Sequence, residues 1–295
     1  MEQPLILVTN DDGIESRGLW AAVEAVLPLG EVLVVAPDRQ WSGGGRSMPP
    51  DVTGRLTPAS RWVGSTYVTA YAVDASPALA VTHAVVELAP RPLALVVSGI
   101  NSGANLGIEV TISGTVGAAL EGGAFGIPAL AVSLEMEPAY HLTGSETADY
   151  RAAIEFTQCF ACLLLTHDLP DDVDALNVNI PADVAPGAPW RLTRLSRQRY
   201  FVPLPPDRAN GGGRPGYRLM ENSHQAEPDS DVWAVKVDRV VSATPLSLDL
   251  TARVNMHAAD RHLRVGARSC LAGLSPLLMP PQPSQWSILT EAWYR

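Results

Sequence analysis

Ile6-Leu7-Val8-Thr9-Asn10-Asp11-Asp12-Gly13 reads as a buried strand that stops abruptly in two acids and a glycine. Neighbouring side chains of a strand point to opposite faces, so Asp11 and Asp12 converge only if the backbone turns there. Gly13 permits the turn because glycine tolerates positive φ. In an open α/β sheet the carboxyl end of the first strand lies at the crevice where ligands bind. Two carboxylates at that place suit a hard divalent cation such as Mg2+ or Mn2+, which takes oxygen ligands. Taken alone, Asp-Asp-Gly is also compatible with a turn that caps the next helix.

The segments after this strand decide the fold class. Helical spacing over Arg17–Leu27, with Leu19, Val23, Val26 and Leu27 on one face and Ser16 placed to cap it, is followed by a strand pattern over Glu31–Ala36. Ser76-Pro77 then supplies an N-cap and a proline at the first helical position for a helix over Pro77–Leu88. Leu93–Ser98 and Ile127–Ser133 read as strands around a helix at Thr115–Phe125, and a helix over Glu146–Leu165 leads to a strand at Ala175–Ile180. This alternation predicts an α/β fold, a mostly parallel sheet flanked by helices. The texture changes after that: residues 203–231 are rich in turn signals and suggest a protruding hairpin, and Trp233–Val237 and Val240–Thr244 alternate as strands.

Bulk properties limit the function. At 295 residues with 46% hydrophobic and 18% charged content, the chain can bury a substantial core. The longest apolar runs, Leu93–Val97 and Ala129–Val132, fall far short of the ~20 residues of a membrane span, which predicts a cytoplasmic protein with no membrane partner. A formal charge of −10 argues against a broad basic surface, so long nucleic acid is not an expected partner. Three cysteines give no disulfide framework, and Cys159 and Cys162, inside an apolar helical stretch, read as buried core thiols. The six histidines have no metal-ligand spacing, and Arg191, Arg194, Arg197 and Arg199 read as a solvated strand face.

Two further loops lie at the same sheet edge. Pro37-Asp38-Arg39-Gln40-Trp41-Ser42-Gly43-Gly44-Gly45 lets backbone approach an anion or metal, with Ser42 adding a neutral oxygen. Ser98-Gly99-Ile100-Asn101-Ser102-Gly103-Ala104-Asn105-Leu106-Gly107 presents the Asn101 and Asn105 amides. Ser113-Gly114-Thr115 then sets hydroxyls and N–H groups at a helix N-terminus, a ready anion site. Any one of these loops has an ordinary structural reading; three at the ends of three strands of one sheet point to a site.

In this order and wording, Asn10-Asp11-Asp12-Gly13, Val34–Arg39 with Ser42-Gly43, Ser98–Gly107 and Ser113-Gly114-Thr115-Val116 closely resemble the SurE family of 5′/3′-nucleotidases. Ser242-Ala243-Thr244-Pro245-Leu246 with Asp249-Leu250-Thr251 resembles that family's C-terminal strand signature. The resemblance implies one divalent metal ion per subunit held by Asp11, Asp12, Ser42 and Asn101, with the substrate phosphate held by Asn105, Ser113, Gly114 and Thr115. It implies a Rossmann-like catalytic core over residues 1–200, a hairpin extension and C-terminal strands over 201–251, and a tail over 252–295. It also implies a homodimer or homotetramer that exchanges hairpin and C-terminal elements, and small phosphate monoesters as substrates. One departure is Ala75-Ser76-Pro77-Ala78-Leu79-Ala80-Val81, where the family reads Gly-Thr-Pro-x-Asp-Cys-Val; its lost acid bears on base or sugar preference.

The expected reaction is metal-dependent hydrolysis of nucleoside 5′- and 3′-monophosphates, with Asp11 and Asp12 equal candidates for general base. A covalent aspartyl-phosphate fits less well, because such phosphatases use Asp-x-Asp. A nicotinamide oxidoreductase would want Gly-x-Gly-x-x-Gly where Asn10–Gly13 stands. A non-catalytic nucleotide sensor using the same crevice is the rival from another class. Nothing in the sequence supplies a dedicated base-reading pocket, so a broad range of monophosphates is expected. The turn-rich 203–231 segment and the apolar tail, with Leu271, Leu274, Leu277, Leu278, Met279 and Trp286, predict at least a dimer.

Overall fold

The computed structural model describes residues 3–141, 148–208, 212–213 and 215–264. Strands β1 (Leu5–Thr9), β2 (Glu31–Pro37), β5 (Thr66–Val73), β6 (Leu95–Ser102), β7 (Ala129–Leu134) and β8 (Ala175–Ile180) run parallel in the spatial order β5-β2-β1-β6-β7-β8. Short β3 (Leu56–Pro58) and β4 (Arg61–Val63) pair antiparallel with β5 at one edge. At the other edge β12 (Val241–Leu246) pairs antiparallel with β8 and parallel with β9 (Trp190–Leu192). The chain builds outward from β1 through β2 to β5, then returns to lay β6 against the other side of β1. This reversal makes the carboxyl ends of β1 and β6 the switch point, where the crevice of such sheets opens.

The strands are buried on both faces, as their continuous apolar runs require. Ile6 and Val8 of β1 face one layer with Leu19 and Val23 of α1 (Arg17–Val26) and Phe156 and Phe160 of α4 (Arg151–Thr166). Leu5 and Leu7 face the opposite layer with Ala80 and Val81 of α2 (Pro77–His83) and Val116 and Ala119 of α3 (Gly114–Ala124). The α/β architecture is the one the alternation predicts. Ser76 caps α2 as expected, accepting from Leu79 N at 3.2 Å with Pro77 at the first position. Ser16 stands at the N-cap of α1, but its side chain makes no capping bond.

Two readings need correction, and one region went unread. Residues 233–237 are not a strand: Asp231–Lys236 form a short helix, α5, because Ser230 accepts from Trp233 N at 3.2 Å and the acid and the lysine sit at its favourable ends. The period-three pair Val232 and Val235 packs with Ala104, Leu106 and Tyr200. Cys159 and Cys162 are exposed, not buried, because α4 is amphipathic and they fall on the face turned away from Phe156 and Phe160. Strands β3 to β5 had no counterpart in the sequence reading.

A separate hairpin pairs β10 (Phe201–Leu204) with β11 (Gly216–Leu219), with Phe201 opposite Leu219 and Pro203 opposite Tyr217. The β12 strand, which the sequence reading grouped with the hairpin, belongs to the main sheet. Residues up to Asp249 form one compact unit, and those from Leu250 a second, whose described part includes a helix over 256–264 with Arg264 bonded to Asp260 at 2.8 Å. The apolar tail side chains named above lie outside the described residues. Among the described residues no helix is long and apolar enough to cross a membrane.

Candidate active site

The turn after β1 is locked by its own asparagine. Asn10 Nδ2 donates to Gly13 O at 3.0 Å, Gly13 N donates back to Asn10 Oδ1 at 3.2 Å, and Gly13 adopts φ +94°. This bends the chain so that both acids stand at the strand end. Trp41 N donates to Asp11 O at 2.7 Å and Ile14 N to Pro37 O at 2.8 Å, which ties the loop after β2 to this turn. On the other side, the β6–β7 register shifts between Ser98 and Asn101, re-aiming the end of β6. Gly18 allows α1 to approach that bulge: a Cβ there would lie 1.9 Å from Ile100 O.

Each carboxylate is held from a different loop. Thr115 Oγ1 donates to Asp11 Oδ1 at 2.5 Å, and Gly114 packs so closely that a Cβ on it would lie 2.6 Å from the Asp11 Cβ. Asp12 accepts from Gln40 Nε2 at Oδ1 and from Ser102 N at Oδ2, both at 3.0 Å. The Gln40 amide also donates to His141 O at 3.0 Å. Asn101 Nδ2 donates to Gly103 O at 2.7 Å, so its amide oxygen is left for another partner.

Asn105 is the most heavily braced residue of the site. Its backbone N donates to Asn179 Oδ1 at 2.8 Å, and its backbone O accepts from Asn177 Nδ2 and Asn179 Nδ2 at 2.9 and 3.0 Å. Its side-chain Nδ2 donates to Ser133 Oγ at 2.9 Å and to Thr115 Oγ1 at 3.4 Å. Ser113 caps α3 by accepting from Val116 N at 3.1 Å, which leaves its hydroxyl proton available to an anion.

These loops enclose a cleft of about 540 Å3 onto which Asp11, Ser42, Asn101, Asn105 and Ser113 all open. Asp12, Gly114 and Thr115 form the layer behind. The Thr115 side chain is fully buried and its hydroxyl is committed to Asp11, so this residue positions a carboxylate and does not reach into the cleft. None of Ala75–Val81 lines the cleft; Ser76 instead fixes the start of α2, its Oγ donating to Ser47 O at 2.6 Å.

Sequence reasoning overlooked the bracing set. Ser133, Asn177 and Asn179 are fully buried polar residues in otherwise apolar strands, and that interruption of Ala175–Ile180 was the signal. It also overlooked Gln40, Ser102 and Glu109, gave His141 a surface or core role, and read Arg199 as part of a solvated strand face. His141 and Arg199 line the cleft; Glu109, 6% exposed, accepts from Tyr200 N at 3.2 Å through Oε2, while its Oε1 has no partner. Arg191 and Arg194, by contrast, pair with Asp238 and Asp229 on the surface.

Burial pushes the Asp11 carboxyl up to about 7, reinforced by the Asp12 charge and opposed by the Thr115 hydroxyl and amide. Burial likewise raises Asp12. Two crowded carboxylates that resist ionisation, set among neutral oxygens from Ser42 and Asn101, fit a divalent cation, whose charge reverses this penalty. A pH dependence follows for the metal-free protein. With the folded value near 7 and the unfolded value near 3.8, the folded chain binds the proton more tightly. Stability therefore falls as pH rises from about 4 to about 7, by at most about 4 kcal/mol, and is flat above. Asp11→Asn should reduce this slope, leaving the share that Asp12 contributes, and raise the thermal midpoint of the metal-free protein at pH 8, as read by calorimetry in chelator; an unchanged slope would contradict the burial argument.

The model of the family described as Survival protein SurE matches residues 6–202. A protein from Thermococcus gammatolerans named 5′-nucleotidase SurE is 43% identical over 255 residues, 85% of this chain and 92% of its own length. Its namesake from Thermococcus kodakarensis is 40% identical over 263 residues, 88% and 98% of the two chains. The crystal structure of the SurE protein from Aquifex aeolicus superposes with a TM-score of 0.65 at 35% identity, covering 84% of this chain and 95% of that one. A match through β1, both loops, the Asn105 platform and the N-terminus of α3, carried by relatives along nearly their whole length, places this chain in the SurE family.

Proposed function

We propose that the chain is a divalent-metal-dependent phosphomonoesterase that hydrolyses nucleoside 5′- and 3′-monophosphates to nucleoside and inorganic phosphate. The observation that carries this reading is the buried Asp11 carboxylate, with half-buried Asp12 next to it in the chain, opening on the same cleft as the Ser113 hydroxyl: a cation-seeking pair beside an anion-seeking group. The relatives' name, 5′-nucleotidase, supports the substrate class.

Asp11, Asp12, Ser42 and Asn101 would hold one Mg2+ or Mn2+. Such an ion supplies Lewis-acid polarisation of the phosphoryl group and screens its charge from the two carboxylates. The chain's own groups do the rest. Ser113 donates its hydroxyl proton to a phosphate oxygen, and the positive end of α3 favours the dianion at the same place. Asn105, immobilised by Asn177, Asn179 and Ser133, lines the cleft beside it and would turn an Nδ2 proton to the phosphate by releasing its long 3.4 Å bond to Thr115. Water adds to phosphorus in line as the P–O bond to the nucleoside breaks, Asp11 or Asp12 accepts the proton that the water loses, and the departing nucleoside oxygen takes up a proton from solvent.

Assembly as a homodimer or homotetramer belongs to the same proposal, supported by Leu250, Val254, Met256 and Leu263 standing exposed in the C-terminal unit. The functional test is phosphate release from a panel of nucleoside monophosphates in chelator and after Mn2+ is restored. Activity on 5′- and 3′-monophosphates that returns with Mn2+ is expected. Binding without turnover would favour the sensor reading, and undiminished turnover in chelator would remove the metal from the account.

A further inference from the structure

The cleft has two unlike walls. Its floor is polar, built from Asp11, Asn101, Asn105 and Ser113, whereas the hairpin covers the opposite side with Phe201, Pro203 and Tyr217. The hairpin register explains this. Phe201 and Pro203 are two apart in β10, and Tyr217 stands directly opposite Pro203, so all three project from one face of the two-stranded sheet. That face turns an aromatic surface toward a site whose chemistry concerns a small anion.

Tyr217 is held as a rigid plate. Its ring meets Phe201 edge to face at 5.1 Å and 86°, and lies nearly parallel to His141 at 6.2 Å and 13°. His141 Nε2 bonds Met136 O at 3.0 Å, so that nitrogen carries the proton; Nδ1 of the neutral ring then accepts from the Tyr217 hydroxyl at 2.9 Å. Burial favours this neutral form by lowering the His141 pKa. The hydroxyl is thus spent within the protein, and what remains for a ligand is the ring of a residue that is 43% exposed. Neither Phe201 nor Pro203 adds a side-chain donor or acceptor.

On the reading of the site as a nucleotidase, we propose that the hairpin wall, with Tyr217 as its platform, seats the nucleobase of the substrate while the polar floor holds its phosphate. Stacking on an aromatic plate accepts any base, because every base has a π-face, and a plate whose one hydroxyl is engaged by His141 does not itself read base edges. The subsite therefore selects phosphate monoesters that carry an aromatic heterocycle over aliphatic ones, with little distinction among bases. This gives the broad nucleotide range expected from the sequence a physical source.

The test compares AMP and UMP with glycerol 2-phosphate, which has no ring, on the Mn2+-loaded enzyme. Tyr217→Ala should lower kcat/KM for both nucleotides by about tenfold or more, chiefly through KM, and leave glycerol 2-phosphate hydrolysis within about twofold of the parent. Tyr217→Leu, which keeps bulk but not the aromatic face, should show the same selectivity, and Tyr217→Phe should stay near the parent. Equal losses on all three substrates would make Tyr217 a scaffold residue and overturn the subsite, as would parent-like nucleotide kinetics in Tyr217→Ala. A parent enzyme that releases phosphate from glycerol 2-phosphate but not from nucleotides would instead overturn the nucleotidase reading beneath it.

Discussion

Asp11→Asn and Asp12→Asn should each lower kcat/KM for a nucleoside monophosphate by on the order of a thousandfold or more while the fold survives. The change removes one negative charge and almost no volume. Thr115 Oγ1 can still donate to the amide oxygen introduced at position 11, and Ser102 N to the one introduced at position 12, so one brace persists at each position, while Gln40 Nε2 loses its acceptor at position 12. On the proposed reading, what is lost is a charge that would hold the cation and a candidate base for the proton of the attacking water. Circular dichroism and steady-state kinetics on the same preparations check the expectation, and a drop of less than about tenfold in both variants would move the chemistry elsewhere.

Gly114→Ala should lower kcat/KM by about a hundredfold without touching any donor or acceptor. A Cβ on residue 114 would lie 2.6 Å from the Asp11 Cβ and 2.8 Å from its Oδ2, too close for either atom to stay. Either Asp11 rotates away or the first turn of α3 retreats, and both separate the carboxylate from the Ser113 hydroxyl that the reaction needs beside it. Displacement of a positioned group by about 1 Å is enough for a loss of this size. Kinetics at saturating Mn2+ check it, since rescue by added metal would show that only affinity had suffered. Parent-like turnover would mean that the contact between α3 and Asp11 does not set the geometry.

The parts of this site that the sequence announced are those encoded locally. Asn10–Gly13 carries its own turn, with asparagine and glycine bonding each other across it, and Ser113 caps the helix that begins beside it. Such motifs work through neighbours in the chain, so their residue types and spacing expose them. The long-range braces were silent: Gln40 reaches back 28 residues to Asp12, and Asn179 reaches 74 residues to Asn105. Only a buried asparagine in an apolar strand hinted at them. Thr115 shows the limit from the other side, because its place at a helix start suggested an anion contact, while the packing of α3 on β1 aims its hydroxyl at Asp11. Residues 231–236 failed for a related reason: six residues of mixed polarity fit either period, and the Ser230 cap decides for the helix. The exposed cysteines followed from taking an apolar stretch as uniformly buried, although α4 presents only one face to the sheet.

The aromatic wall lay outside local reading altogether. Phe201, Pro203 and Tyr217 come together only through hairpin register, and His141 joins them from beyond the far end of β7. Base preference was accordingly sought in Ala75–Val81, which the fold keeps out of the cleft.

The central claim is that Asp11 and Asp12 form a cation site, and calorimetric titration of the chelator-treated protein with Mn2+ tests it most directly. The parent should bind one ion per chain, and Asp11→Asn and Asp12→Asn should each bind it at least about tenfold more weakly. Parent-like Mn2+ affinity in both variants, or no saturable binding by the parent, would contradict the account.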